Sequence, residues 1–369
     1  MPELTPFYLS FRSGVHLGTK GQNLEEAGFS IPSDTLFSAI LDTLYQMDNQ
    51  AEQLVAPFIS KPAQPPFLLT SAFPFAGPVR FYPMPLDLRR LFKEKKTFDR
   101  YGKKIKRIQY FSEGLLRLIL EGQPLDDRLF KIELEKMDAD QKRTPPFGEA
   151  LQGGALWLSR PEFDTLPEVL KRYPHQVWQQ SQVARVTVSR LTSASTIFHS
   201  GRVSFSQGCG LWFGVQWRCD ESDPWRQALP TVLQNLAISG LGGERSSGYG
   251  PFEYTRGEPF SLPDPQPQAR CYLLSRYNAQ DETLPAALKN PISAYQIVMV
   301  GGWLRTPAGA AQRRRKLAMI TAGSLLALSS FPAGEVSDVT PIYNDSPALP
   351  HKVYRSGLAL AIGWPDFTP

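Results

Sequence analysis

Between a helical pattern and a strand pattern, the eleven residues from Gly240 to Gly250 hold five glycines: Gly240, Gly242, Gly243, Gly248 and Gly250. Glycine reaches φ > 0 without steric cost and lets backbone or ligand approach closely, so a run this dense ends any helix before it. Upstream, Asp223-Pro224 opens a helix whose first turn suits proline. Leu229, Val232, Leu233 and Leu236 give that helix an apolar face, Pro230 kinks it or shifts its start, and Gly240 ends it. Downstream, Pro251–Tyr254 reads as a strand. The order excludes a nucleoside-triphosphate loop, which precedes its helix and carries Gly-Lys-Ser/Thr. A dinucleotide fingerprint fails for the same reason. Consecutive exposed amides on such a loop form an anion-binding concavity. Ser246 and Ser247 add hydroxyls and Arg245 adds a cation. The chemistry suits a sugar-phosphate; a flexible connection is the alternative.

Two helix-bearing segments frame this loop. Phe7, Leu9 and Phe11 alternate with Tyr8, Ser10 and Arg12, as in a half-buried strand. Ser33 to Tyr45 reads as a helix with Ser33 as N-cap and an apolar face of Leu36, Phe37, Ile40, Leu41 and Leu44. Residues from about 57 to 180, rich in proline, read as one short strand plus a long irregular insertion with a short helix over Gly114–Leu120. Strands follow at Ala184–Arg190, Gly201–Phe205 and Gly210–Trp217; the aromatics Trp212, Phe213 and Trp217 read as core. The order strand, helix, strand, insertion, strand, helix, loop, strand gives an α+β ferredoxin-like (RRM-like) fold. The proline-rich stretch 257–268 reads as a linker between a first unit, 1–257, and a second, strand-rich unit, 268–369. Strands at Arg270–Arg276, Tyr295–Val300, Lys316–Ile320 and Val353–Ala361 build that second unit.

Charge is local rather than global. Between Arg89 and Arg107 stand ten cations against Glu94 and Asp99, on a chain of formal net charge +5. Such a segment points to a polyanion or a partner subunit, or else to a solvated loop. Three cysteines without a Cys-x-x-Cys pair read as free thiols, and four scattered histidines offer no metal spacing. No metal or other cofactor is expected. No apolar run reaches the length of a membrane span, and the first residues lack the pattern of a signal peptide, so a cytoplasmic location with no membrane contact is expected.

The run Gly-Leu-Gly-Gly-Glu-Arg-Ser-Ser-Gly-Tyr-Gly resembles the C-terminal glycine-rich loop of the RAMP superfamily of CRISPR proteins. Val15–Gly18 followed by Ile31–Ala39 resembles the first strand and first helix of the Csm subunit four family. Val188–Thr192, Thr196–His199, Gly210–Phe213, Leu317–Ser324 and His351–Gly357 are similar to later blocks of that family, in order along the chain. The proline-rich middle matches least.

The resemblance implies a Cas5-like protein of two ferredoxin-like units that caps the crRNA 5′ tag in a type III-A interference complex. It implies as partners the large polymerase/nuclease subunit and the backbone RAMP subunit, with target RNA met indirectly. A loop of this chemistry on a ferredoxin-like sheet suits single-stranded RNA, with phosphate contacts fixing register. The residues expected at the RNA are His16, Ser33, Arg190, Thr192, Gly240, Gly242, Gly243, Glu244, Arg245, Ser246, Ser247, Gly248, Tyr249, Arg313, Arg314 and Arg355. Related RAMP endonucleases use an N-terminal-region histidine, which makes His16 the candidate for a metal-independent crRNA-processing activity. With no second catalytic group at an interpretable spacing, a non-catalytic subunit is the expectation. The equivalent subunit of another type III subtype is a further alternative.

Overall fold

The structure, a computed structural model, describes residues 3–18, 27–47, 51–92, 95–129, 148–189, 191–279, 283–305, 311–342, 349 and 351–366. The chain opens with β1 (Glu3–Phe11), a ribbon of β2 (Leu17–Gly18) and β3 (Ala27–Gly28), and helices α1 (Ser33–Met47) and α2 (Ala51–Ser60). Strands β4 (Phe67–Leu69), β5 (Phe73–Ala76) and β6 (Val79–Pro83) precede α3 (Lys95–Ile105), β7 (Tyr110–Ser112), α4 (Glu113–Leu120) and α5 (Asp126–Leu129). Next come β8 (Glu149–Leu151), β9 (Leu156–Leu158), α6 (Arg160–Asp164) and α7 (Glu168–Lys171). The hairpin of β10 (Trp178–Val188) and β11 (Ser195–Phe205) leads into β12 (Cys209–Trp217), α8 (Pro224–Ser239), β13 (Phe252–Arg256) and β14 (Phe260–Ser261). The rest is β15 (Arg270–Leu273), α9 (Thr283–Lys289), β16 (Ile297–Val300), β17 (Trp303–Arg305), β18 (Ala311–Arg313), β19 (Leu317–Ile320), β20 (Leu325–Ala327), β21 (Val336–Asp338), β22 (Tyr354–Ser356) and β23 (Ala361–Gly363).

One large mixed sheet carries the fold, in the order β13-β1-β12-β5-β6-β7-β9-β8, with β14 paired to β1 and β4 to β12. The alternation in β1 has its predicted effect: Phe7 and Leu9 are buried and Phe11 is half-buried. Leu9 faces Leu211 of β12 on one side and Tyr254 of β13 on the other. The apolar stripes of α1 and α8 are buried throughout, and the two helices pack together. Asp223 caps α8, its side chain accepting the Trp225 amide at 2.9 Å. Pro230 sits inside α8 without ending it.

Residues 57–180 are not an irregular insertion. They contribute β4 to β9 to the main sheet, and their buried side chains join its core. The strands are three to five residues long, and β4, β5 and β7 are buried at every position. Short strands covered on both faces show no alternation, so periodicity does not reveal them. The basic segment is likewise ordered in its second half, as the amphipathic helix α3 with Thr97 and Ile105 buried.

The second unit also differs from the expected pattern. Its described residues form one three-stranded sheet, β20-β15-β23, with the ribbons β16-β19, β17-β18 and β21-β22. The expected strand Val353–Ala361 is split into β22 and β23. Between them, a Cβ on Gly357 would stand 2.7 Å from the backbone nitrogen of Asn278. Apolar contacts do not stop at the linker: Tyr272, Leu274, Leu360 and Trp364 belong to the same core as β1 and α1.

A buried carboxylate ties the two parts of the chain together. Asp34, fully buried in the first turn of α1, accepts Arg276 Nη1 at 2.8 Å and pairs with the buried Arg355. Arg355 also donates to the Gly301 carbonyl oxygen at 2.7 Å. Ser33 is not the N-cap. The Pro32 carbonyl takes the Thr35 and Leu36 amides, which puts Ser33 inside the helix. Its hydroxyl oxygen instead accepts the Arg276 amide at 2.8 Å.

Cutting such a pair leaves a buried charge unmatched, at a cost of about 3–5 kcal/mol. Asp34→Ala, which takes the carboxylate from both Arg276 and Arg355, is therefore expected to destabilise the whole chain by about that much in urea unfolding. A loss below about 1 kcal/mol would mean that the pair is solvated. Burial also pushes the Cys209 and Cys271 thiols up to about 12, so both stay protonated near neutral pH. Iodoacetamide should alkylate them only after denaturation, as read by peptide mass spectrometry. Rapid labelling of either in the native chain would contradict this placement.

Candidate nucleic-acid interface

The glycine-rich run is built against the segment that follows β1. The Gly243 amide donates to the His16 carbonyl oxygen at 2.8 Å, and the Gly250 amide to that of Gly14 at 3.1 Å. Ser13 Oγ donates to the Gly248 carbonyl oxygen at 2.8 Å. Two glycines make this approach possible. Gly242 has φ +90°, and a Cβ there would lie 2.3 Å from the His16 oxygen. Gly250 has φ +91°, and its Cβ would lie 2.2 Å from the Leu241 oxygen.

The loop is thus a fitted clasp over much of its length. The amides of Leu241, Gly243, Ser247, Gly248, Tyr249 and Gly250 all donate to protein carbonyls. Among the described residues, those of Gly242, Glu244, Arg245 and Ser246 have no protein acceptor, so three consecutive amides stay free at the turn. Arg245, Ser246 and Ser247 form one exposed helical turn, held between left-handed Glu244 and Gly248. Their side chains and the free amides of the turn are what the loop presents.

A residue that sequence reasoning missed completes the site. Arg185, midway along β10, lays its guanidinium over the Tyr249 ring, 4.8 Å from its centroid. Its Nη1 stands 4.0 Å from Glu244 Oε2, and its Nε is buried without a hydrogen-bond partner. A cation–aromatic stack with an unused donor presents charge to a phosphate while restricting the side chain. No local motif marks Arg185, because only the hairpin register brings it to the loop. Arg202 of β11 lies over Gly14, where a Cβ would meet its Cδ at 2.3 Å, and donates from Nε to Ser181 Oγ at 3.2 Å.

His16 is buried behind this surface. Its Nδ1 donates to the Gly201 carbonyl oxygen at 2.7 Å, and its ring packs on Gly243. That bond fixes a proton on Nδ1. No group of three or more metal-ligating side chains occurs among the described residues.

The other expected residues lie apart from the loop. Thr192 is exposed in the turn joining β10 and β11, past the end of the strand that carries Arg185. Arg190 lies outside the described residues. The ribbon is largely exposed, with Val186, Val188, Leu191 and Ile197 uncovered. Ser33 and Arg355 belong to the Asp34 cluster. Arg314 stands beside it, with burial and the nearby Arg355 charge bringing its guanidinium down to about 10. Arg313 is exposed and stacks on Trp303, 4.6 Å from the ring centroid.

The clasp geometry sets an order among glycine substitutions. Gly248 has φ +81° but open space around its Cβ position, so alanine there meets only left-handed strain of about 1–2 kcal/mol. Gly242→Ala adds a backbone clash to the same strain. Its loss of stability should be at least twice that of Gly248→Ala in thermal or urea unfolding. Equal losses would show that the loop does not dock on His16.

Residues 266–364 match the family model of the CRISPR Csm4 C-terminal domain. A protein of Streptococcus thermophilus named CRISPR system Cms protein Csm4 is 26% identical over 247 residues, 67% of this chain. The match spans 62% of that relative's length. A protein of the same name from Mycobacterium tuberculosis is 24% identical over 314 residues, 84% of each chain. The fold is similar to a chain in the Csm3–Csm4 subcomplex of the type III-A CRISPR-Cas interference complex. That match has a TM-score of 0.62 at 14% identity and covers 98% of this chain and 99% of that one. A chain of a Csm1–Csm4 cassette in complex with pppApA matches with a TM-score of 0.55 at 16% identity, covering 99% and 98%.

Proposed function

The chain belongs to the Csm4 family, and from that premise we propose that it is the type III-A CRISPR subunit that holds the crRNA 5′ tag at the turn Arg245–Ser247. The observation that carries this reading is the pinned loop beside Arg185. The turn offers two hydroxyls and a guanidinium to solvent, and Arg185 adds a second, partly buried guanidinium beside it. Cations and hydroxyls fixed on a rigid base suit phosphate contacts that set the register of a single strand. The sheet order β13-β1-β12-β5, with α1 and α8 as its crossovers, supports reading the first unit as ferredoxin-like. For residues 268–369 that reading rests on the family resemblance.

The same premise gives the chain its neighbours. Chains of similar fold occur with Csm1 in one structure and with Csm3 in another. We take this chain to join the large polymerase/nuclease subunit to the backbone subunit, with the guide RNA setting the target. We take it to be non-catalytic. His16 spends Nδ1 on Gly201 and lies behind the clasp rather than on the exposed turn.

Filter binding with tag-bearing crRNA, in the assembled complex, tests the assignment. Arg185→Ala combined with Arg245→Ala should weaken tag retention at least tenfold while the complex still assembles. Unchanged retention would remove the loop from the RNA path. Incubating the purified chain with repeat RNA in EDTA tests the catalytic alternative. Cleavage that is lost on His16→Ala would make the chain a processing endoribonuclease instead.

A further inference from the structure

We infer that the outer face of α3 and the turn after it form a second, sequence-independent RNA surface, which binds the phosphate backbone of a single strand away from the glycine loop. Arg100, Lys103 and Lys104 are exposed on α3, and Lys106 and Arg107 are exposed in the following turn. The opposite side of the helix is fixed to the core. Thr97 Oγ1 donates to Asp126 Oδ1 at 2.6 Å, Phe98 packs edge-on against Phe92 at 5.4 Å, and Ile105 is fully buried. At about 100° per residue, Arg100, Lys103 and Lys104 fall within one arc opposite Phe98 and Ile105, with Lys104 at its edge in line with the buried Thr97. The Tyr101 ring lies under Arg100 and Lys104, at 5.6 and 5.8 Å.

Three features favour RNA over the alternatives. Among the described residues, none of the five cations forms an ion pair; Arg100 repels Lys103 and Lys104, three and four residues on, and the one acid at such a spacing is Asp99, four residues before Lys103. The helix dipole favours cations in the last turn and so accounts for Lys103 and Lys104, but not for Arg100 at mid-helix. A protein-docking face would have an apolar centre and few lysines. No large apolar side chain is exposed on α3 among the described residues. What remains is a rigid cationic stripe, which a phosphate backbone neutralises with release of counterions.

The surface is distinct from the glycine loop. The loop feeds β13, whereas the chain leaves α3 to enter β7, five ladders away or about 24 Å across the sheet. Each of those five ladders is antiparallel, so the chain enters β7 at the opposite strand ends from β13. The two surfaces stand at opposite corners of the sheet, too far apart for one nucleotide to reach both.

The test uses the full chain and a single-stranded RNA probe without the tag, in EDTA, over a salt series. Replacing Arg100, Lys103, Lys104, Lys106 and Arg107 together by glutamine should reduce the slope of log K against log salt by about 3. Tag retention in the assembled complex should survive, and this separates the inference from the proposal for Arg245. The charge-keeping pair Arg100→Lys with Lys103→Arg should leave the slope as it was, which excludes a folding defect at this face. An unchanged slope in the glutamine variant overturns the inference and makes the stripe a solvated face. An unchanged slope with loss of another subunit from the complex also overturns it, and makes the stripe a protein-docking surface.

Discussion

Asp34 is the residue on which the arrangement of this chain depends. A carboxylate with no solvent exposure is tolerable only when opposite charge and hydrogen bonds replace the water it has lost. Here the replacement comes from Arg276 and Arg355, residues more than 240 positions away in the sequence. The start of α1 is therefore fixed by the C-terminal third of the chain. The surrounding bonds follow the same logic. Ser33 receives the Arg276 amide, Ser38 donates to the Tyr354 carbonyl oxygen at 2.6 Å, and the Ser71 amide donates to that of Leu274 at 2.8 Å. Arg314 beside this cluster brings a third guanidinium, and burial first, then the Arg355 charge, lowers its affinity for its proton.

What was legible in the sequence was whatever had a period. The stripes of α1 and α8, the alternation of β1 and the helix stop at Gly240 all follow from local chemistry. The strands from β4 to β9 escaped because they are short and lack alternation. Second-order consequences of packing escaped as well. The glycines marked a place of close approach, but not what approaches; that is the carbonyl of His16, more than 220 residues upstream. Arg185 was invisible for the same reason, since its value lies in a register with Tyr249 that no short window contains. Ser33 and Arg355 stood in family-like blocks, and the geometry shows a reason for such blocks other than RNA: they close the Asp34 cluster.

The candidate RNA site thus adds fixed side chains to the one the motif suggested. A nest of backbone amides would bind an anion through the main chain and tolerate many side chains. A clasp that spends most of its amides on the fold offers Arg185, Arg245 and the two serines beside the few amides left free, and the identities of those side chains matter. The glycines keep their importance, but as the hinge pins of the support.

The position of β1 has a consequence for how this protein is made. Both of its neighbours in the sheet lie far downstream: β12 begins at Cys209 and β13 at Phe252. At about 5–20 residues per second, translation leaves the first strand without its flanking partners for roughly 10–50 seconds. Throughout that interval Leu4, Phe7 and Leu9 are an uncovered apolar edge on a nascent chain. The strand that ends between β13 and β12 spends its earliest life as the segment most in need of a chaperone.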